Sequence, residues 1–225
     1  MGLGKTVQST ALCQYLLEKQ GIAGPFLIVG PLSTIPHWKR EFEAWTQMNV
    51  VNYHGDAVSR AMIRKYEFHA DGQSGRRGEY RFNALVTTYE TILQDIEHLN
   101  KVQWKLLVVE EAHRLKNPES RLCLALETFR FESTLLLTGT PIQNNIKELW
   151  ALLHFLDPKS FADFEDFERR FGAEVLKDNT SIEALHRKLK PYLLRRMKGD
   201  VEAALPPRKE TIIDVALTAF QKKVY

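Results

Sequence analysis

The chain has 225 residues, 44% of them hydrophobic and 26% charged, enough to bury one substantial core and begin a second unit. Its 31 basic and 28 acidic side chains leave a formal charge of +3, too small a surplus to argue for or against a nucleic-acid partner. No apolar run reaches the roughly 18 to 20 residues that cross a bilayer and no basic-then-apolar leader opens the chain, which argues against membrane insertion and secretion. Cys13 and Cys123 lie far apart with no disulfide or metal-ligand spacing, so both read as reduced core residues of an intracellular protein.

Short runs rich in Val, Ile and Leu alternate with longer amphipathic stretches through about residue 155, the pattern of an α/β fold whose parallel sheet is covered on both faces. A helix is expected from Lys5 to Gln20, stopped by Gly21 and Gly24-Pro25. Strands are expected at Phe26–Val29, Val50–Tyr53, Ala84–Thr87, Leu106–Val109 and Thr134–Leu137. Further helices are expected to begin near Ile35, Ala57, Tyr89, Pro118 and Ile146. The stretch His69–Arg81, with three glycines and several charges, reads as a solvated loop. Beyond Pro158 come charged helices, Phe161–Phe171 and Ser181–Leu189, with no strand between them. Leu205-Pro206-Pro207-Arg208 is a stiff break, after which Glu210–Val215 alternates like a new strand. The expected organisation is a first lobe over 1–157, a helical elaboration over 158–204 and the start of a second lobe over 205–225.

Met1-Gly2-Leu3-Gly4-Lys5-Thr6 matches the second half of a phosphate-binding loop. Glycines let backbone N–H groups close on phosphates, Lys5 reaches the β and γ groups, and the Thr6 hydroxyl suits Mg²⁺. The following helix aims its positive N-terminal dipole at a nucleotide such as ATP. The eight-residue motif would begin two positions before Met1, so the chain reads as starting inside the loop. Gly-Lys-Thr also occurs by chance, so this loop needs a partner. Leu106-Leu107-Val108-Val109-Glu110-Glu111-Ala112-His113 supplies one: a buried strand ending in two carboxylates, at the edge where open α/β sheets place ligands. Glu110 is assigned to the Mg²⁺ shell and Glu111 to orienting the attacking water. The bland alternative, a solvated acidic turn, fits the four apolar residues before the pair poorly.

With Leu136-Leu137-Thr138-Gly139-Thr140-Pro141-Ile142-Gln143-Asn144-Asn145, these segments resemble motifs I, II and III of the Snf-type helicase-like ATPases of superfamily two. Pro31-Leu32-Ser33-Thr34-Ile35-Pro36-His37-Trp38 resembles motif Ia, and Thr87-Thr88-Tyr89-Glu90 the next DNA-facing segment. The likeness runs to Leu193-Leu194-Arg195-Arg196-Met197-Lys198 and Gln221-Lys222-Lys223-Val224-Tyr225, and within the family it is greatest to the chromodomain-helicase-DNA-binding remodellers. The resemblance implies a RecA-like lobe that hydrolyses ATP with Mg²⁺, moves along double-stranded DNA, acts on nucleosomes and their histones, works in the nucleus, and closes against a second RecA-like lobe. It implies DNA-phosphate contacts from Ser33, Thr34 and Lys39, and coupling roles for His113, Thr138, Gly139 and Thr140. Thr87 and Thr88 either contact DNA or stay internal, and Trp38 and Trp45, seven residues apart, are expected to pack on the sheet. The basic residues Arg187, Lys188, Lys190, Arg195, Arg196 and Lys198 either line the cleft or DNA, or form a solvated face. The family's acidic motif is Asp-Glu-Ala-His, and Glu110 stands where it has aspartate. The extra methylene is expected to slow hydrolysis, because octahedral Mg²⁺ tolerates little misplacement. These residues by themselves are expected to be inactive. Two other readings are an RNA helicase, which carries Ser-Ala-Thr where this chain has Thr-Gly-Thr-Pro, and a non-hydrolysing scaffold.

Overall fold

The computed structural model describes residues 3–69, 80–139, 146–172, 179–196 and 210–224 without 212 and 214, with only the backbone course of 179–182. It divides into two units, Met1–Tyr192 and Leu193–Tyr225. The first is built on five parallel strands, β1 Phe26–Gly30, β2 Val50–Tyr53, β3 Ala84–Thr88, β4 Trp104–Val109 and β5 Phe131–Leu136, in the order β2-β3-β1-β4-β5. Every residue of the central β1 and of β3 is buried. That is why these strands read as continuous apolar runs rather than as alternating ones.

Side chains of successive strand residues leave opposite faces, and here the two faces feed two cores. Leu27, Val29, Leu85, Leu107 and Val109 point to one, shared with α4 Tyr89–Gln94 and α6 Arg121–Glu127. Phe26, Ile28, Ala84, Val86, Leu106 and Val108 point to the other, shared with α1 Lys5–Gln20 and α2 Ile35–Trp45. Each buried Val, Leu, Ile or Phe among them contributes about 1.5–3 kcal/mol. Gly21 ends α1 in the left-handed conformation at φ 68°, its N–H donating to the Leu16 carbonyl. The remaining helices of the crossovers are α3 Ala57–Ile63, continued by a π turn over Arg64–Phe68, and the short α5 Ile96–Leu99.

Several boundaries differ from expectation, among them those of β4, β5 and α6. β4 begins earlier, at Trp104, whose indole donates to the Leu99 carbonyl at 2.9 Å. β5 is shifted toward Phe131 because it pairs only with β4 among the described residues, and its outer course tolerates Glu132 and Ser133. α6 starts at Arg121 rather than near Pro118, because Ser120 caps it by accepting from the Cys123 N–H at 3.3 Å. Cys13 and Cys123 are free and buried, and burial pushes the Cys13 thiol up to about 12. Trp38 is fully buried as expected, but Trp45 is 60% exposed. It closes α2, and its indole is satisfied by Glu41 one turn back at 2.9 Å rather than by the core.

A third core follows. α7 Ile146–Leu156, α8 Phe164–Phe171 and α9 Asn179–Leu189 gather Leu149, Trp150, Leu153, Phe161, Phe167, Leu185 and Leu189. Phe161 anchors it, its carbonyl accepting from the Trp150 indole at 3.0 Å. α7 also packs on the 3₁₀ turn Ala112–Leu115, where Lys116 pairs with Glu148 at 3.0 Å. In Leu193–Tyr225 the one described helix is α10 Gln221–Val224. The strand expected at Glu210–Val215 is not formed by Glu210, Thr211, Ile213 or Val215, with 212 and 214 outside the described residues. A strand needs a neighbour for its backbone groups, and the described residues of this unit supply none.

Candidate active site

Parallel strands all end at one edge of the sheet, and the chemistry collects there. β4 ends at Val109, and the Glu110 N–H donates to the Val29 carbonyl at 2.8 Å. The Leu137 N–H donates to Val109, and the Ala112 N–H donates back to Leu137, both at 2.8 Å. The acid pair is thereby knitted to the segment Leu137-Thr138-Gly139. Glu111 sits between them in the left-handed region at φ 48°, ψ 52°, sparsely populated for any residue with a side chain. Such backbone strain costs on the order of 1–3 kcal/mol and gathers at functional sites. The Glu111 carboxylate lies 3.2 Å from His113 Nδ1.

Glu110 is held from three sides. Its Oε2 accepts from Thr34 Oγ1 at 2.7 Å and from Trp38 Nε1 at 2.7 Å. Its carbonyl accepts from the Tyr89 phenol, over whose ring the Arg114 guanidinium stands at 5.4 Å. Burial, then the Glu110 charge, pushes the Tyr89 phenol up. Gly30 ends β1 beside them, and a Cβ there would lie 3.0 Å from Glu110 Oε2 and 3.2 Å from Thr34 Oγ1. The carboxylate therefore occupies space that any larger residue would contest.

At the start of the chain, Gly4 adopts φ 70° and opens α1 with its carbonyl accepting from the Gln8 N–H at 3.0 Å. Gln8 Nε2 donates to the Leu3 carbonyl at 2.8 Å, bracing the turn. Lys5 and Thr6 are half-buried, and Lys5 enters no ion pair among the described residues. Met1, Gly2 and Thr140 lie outside the described residues, as does Pro141–Asn145.

The DNA-facing assignments separate on burial. Ser33 and Lys39 are exposed, Lys39 standing 3.7 Å from Glu43. The Thr34 hydroxyl is engaged by Glu110 and the Pro31 carbonyl. Thr87 is fully buried and its hydroxyl donates to the Tyr53 carbonyl at 2.6 Å. Thr88 is 4% exposed and caps α4, accepting from the Thr91 N–H at 3.2 Å. Both hydroxyls are bonded inside the lobe, as a hydroxyl buried at a strand end must be. Of the basic cluster, Arg187, Lys188, Lys190, Arg195 and Arg196 are exposed, and Lys198 lies outside the described residues.

A second polar cluster, one with no motif to mark it in the sequence, gathers around Asp95. Asp95, 7% exposed, accepts from Arg60 Nε at 2.9 Å, Arg60 Nη2 at 3.2 Å, Arg64 Nη1 at 2.7 Å and the Tyr53 phenol. Burial alone would raise its carboxyl, but the Arg60 and Tyr53 hydrogen bonds and both arginine charges outweigh it and hold it below the usual range. Burial and the Asp95 hydrogen bond push the Tyr53 phenol up to about 12. A cavity of about 320 Å³, with Arg64, Phe68, His69, Tyr80 and Lys101 in its wall, lies by the amino-terminal ends of β3 and β4, the opposite end from Glu110.

Comparison with known proteins agrees with this architecture. The SNF2-related domain model matches residues 1–225. Chromodomain-helicase-DNA-binding protein 9 of Homo sapiens is 50% identical over 228 residues, covering 100% of this chain and 8% of the relative. Protein 8 of the same name from Homo sapiens is 48% identical over 227 residues, covering 100% of the chain and 9% of the relative. The chain thus spans under a tenth of the length of these relatives. Among solved structures, the Sulfolobus solfataricus SWI2/SNF2 ATPase core in complex with dsDNA superposes with a TM-score of 0.71 at 30% identity, covering 88% of this chain and 39% of that one. A RecA-like α/β lobe with an acid pair at its strand ends, matched over its whole length by that domain model, belongs to the SNF2-related family.

Proposed function

We propose that this lobe binds Mg²⁺–ATP and, with a second RecA-like lobe, drives movement along double-stranded DNA in a nuclear nucleosome remodeller. The observation that carries the reading is the Glu110–Glu111 pair, fixed by backbone hydrogen bonds at the carboxyl ends of β1, β4 and the segment after β5. The names of its relatives and the double-stranded DNA held by the structural neighbour support the rest.

The donor set fits magnesium. Glu110 and the Thr6 hydroxyl are hard oxygen donors, and Glu110 keeps Oε1 without a partner among the described residues. Held by those residues, the ion would supply positive charge to neutralise what develops on the transferred phosphate. Lys5 supplies a cation to the β and γ phosphates. Glu111 orients the attacking water and accepts its proton, with His113 close enough to hold that carboxylate. Ser33 and Lys39 meet DNA phosphates, contacts that carry no base information and weaken with salt. Thr138, Gly139 and Thr140 relay between the nucleotide and DNA.

The test uses the full-length protein. DNA-stimulated ATP hydrolysis and nucleosome sliding are expected. Glu111→Gln should lower turnover on the order of 100-fold or more while ATP binding persists, and Lys5→Ala should weaken both. Wild-type turnover that DNA does not stimulate would overturn the reading. Glu110 in place of aspartate favours one other reading, a lobe that binds nucleotide and DNA but hydrolyses poorly. A gain in turnover in Glu110→Asp would support it, and no gain removes it.

A further inference from the structure

We propose that Trp38 and Thr34 are positioning residues for Glu110: they fix one carboxylate oxygen so that the other faces a divalent cation. The inference rests on Glu110 being a metal ligand, as argued above.

Both donors converge on a single oxygen. Oε2 accepts from Trp38 Nε1 and from Thr34 Oγ1, each at 2.7 Å, while Oε1 accepts nothing among the described residues. Two neutral donors orient a carboxylate without cancelling its charge, which is what an outer-shell partner of a metal ligand must do. The two are not equivalent. The Thr34 hydroxyl has one proton and two acceptors in range, Glu110 Oε2 and the Pro31 carbonyl at 2.9 Å. If the carboxylate swings away, that proton turns to Pro31. Among the described residues the Trp38 N–H has no second acceptor, and its ring is fully buried. Movement of Glu110 therefore leaves a buried donor unpaired, which is disfavoured. Trp38 sets the position and Thr34 refines it.

The geometry also joins two jobs in one short segment. Thr34 and Trp38 lie one helical turn apart on the inner side of Leu32–Trp45, and Ser33 and Lys39 are exposed on the same segment. A pull on the outer side reaches the metal carboxylate through two hydrogen bonds.

The experiment measures binding of a fluorescent non-hydrolysable ATP analogue to the full-length protein across a Mg²⁺ titration, and again in EDTA. Trp38→Phe keeps the ring and removes the N–H, Thr34→Val keeps the shape and removes the hydroxyl, and Thr34→Ser keeps the hydroxyl. Trp38→Phe should raise the Mg²⁺ concentration for half-maximal binding about 10-fold, Thr34→Val by a smaller factor and Thr34→Ser not at all, with EDTA affinity unchanged. A Mg²⁺ midpoint unmoved in Trp38→Phe, or lowered, overturns the proposal, as does equal behaviour of Thr34→Val and Thr34→Ser. If Trp38→Phe fails to fold, the threonine pair decides. Wild-type protein that binds the analogue without any Mg²⁺ dependence would instead overturn the assignment of Glu110 as a metal ligand.

Discussion

Asp95 and Glu110 are two acids in one lobe, both fixed by hydrogen bonds from distant residues, yet they are held in opposite ways. Asp95 is gripped by two arginines and a phenol, so both its oxygens are engaged and its charge is more than cancelled. Glu110 meets only a hydroxyl and an indole, on one oxygen. A carboxylate neutralised from within is a structural clasp, whereas one held by neutral donors keeps its charge available to a cation from outside. The same side-chain chemistry thus serves stability in one place and a ligand in the other.

Asp95→Ala should break the comparison most strongly. It leaves the Arg60 guanidinium, 7% exposed, without its partner. Removing one member of a buried pair costs about 3–5 kcal/mol, to be read as a lower urea midpoint. Glu110→Ala should cost less stability, about 1–3 kcal/mol for the stranded Trp38 N–H, while magnesium-dependent nucleotide binding is lost. If Glu110→Ala destabilises as much as Asp95→Ala, the contrast drawn above is mistaken.

Acid titration sharpens the same contrast. The folded Asp95 carboxyl lies below its ordinary value. Its contribution to stability is therefore complete above the unfolded value of about 3.9 and is lost as pH falls through the folded one. Urea midpoints measured from pH 7 downward should fall in the wild type, and below pH ~4 the drop should be smaller in Asp95→Asn. The smallest effect belongs to Trp45→Ala. Its ring is 60% exposed, and a surface change of this kind should stay within about 0.5 kcal/mol.

How much of this is legible in the sequence depends on the range of the interaction. The apolar runs at Phe26, Ala84 and Leu106 announce buried strands because burial on both faces demands them. The start of β5 is hidden because Glu132 and Ser133, tolerable on its outer course, read as loop. The acid pair shows itself through the strand before it. What holds Glu110 does not, since Thr34 and Trp38 lie 76 and 72 residues away. Periodicity marks Trp38 as inward-facing but is silent on which polar atom its N–H meets. Thr34 and Trp38, four residues apart with Gly30 four before them, are the one local hint that a helix presents two donors to a single point. Thr87 and Thr88 were open to either reading for the same reason, because a hydroxyl carries no mark of its partner. Arg60 is the clearest miss: a charged residue on a short helix reads as solvated until its acid, 35 positions on, is found.

The open side of β5 carries a consequence for how these residues behave in solution. β5 hydrogen-bonds to β4 alone among the described residues, and Thr134, Leu135 and Leu136 are only half-covered. A strand with a single neighbour can take another extended segment on its outer side, which lengthens the sheet. The Lys105–Glu132 pair across β4 and β5 lends that rim a charged, hydrated character at one end. A strand added there would meet apolar surface at the Leu135–Leu136 end and charge at the other.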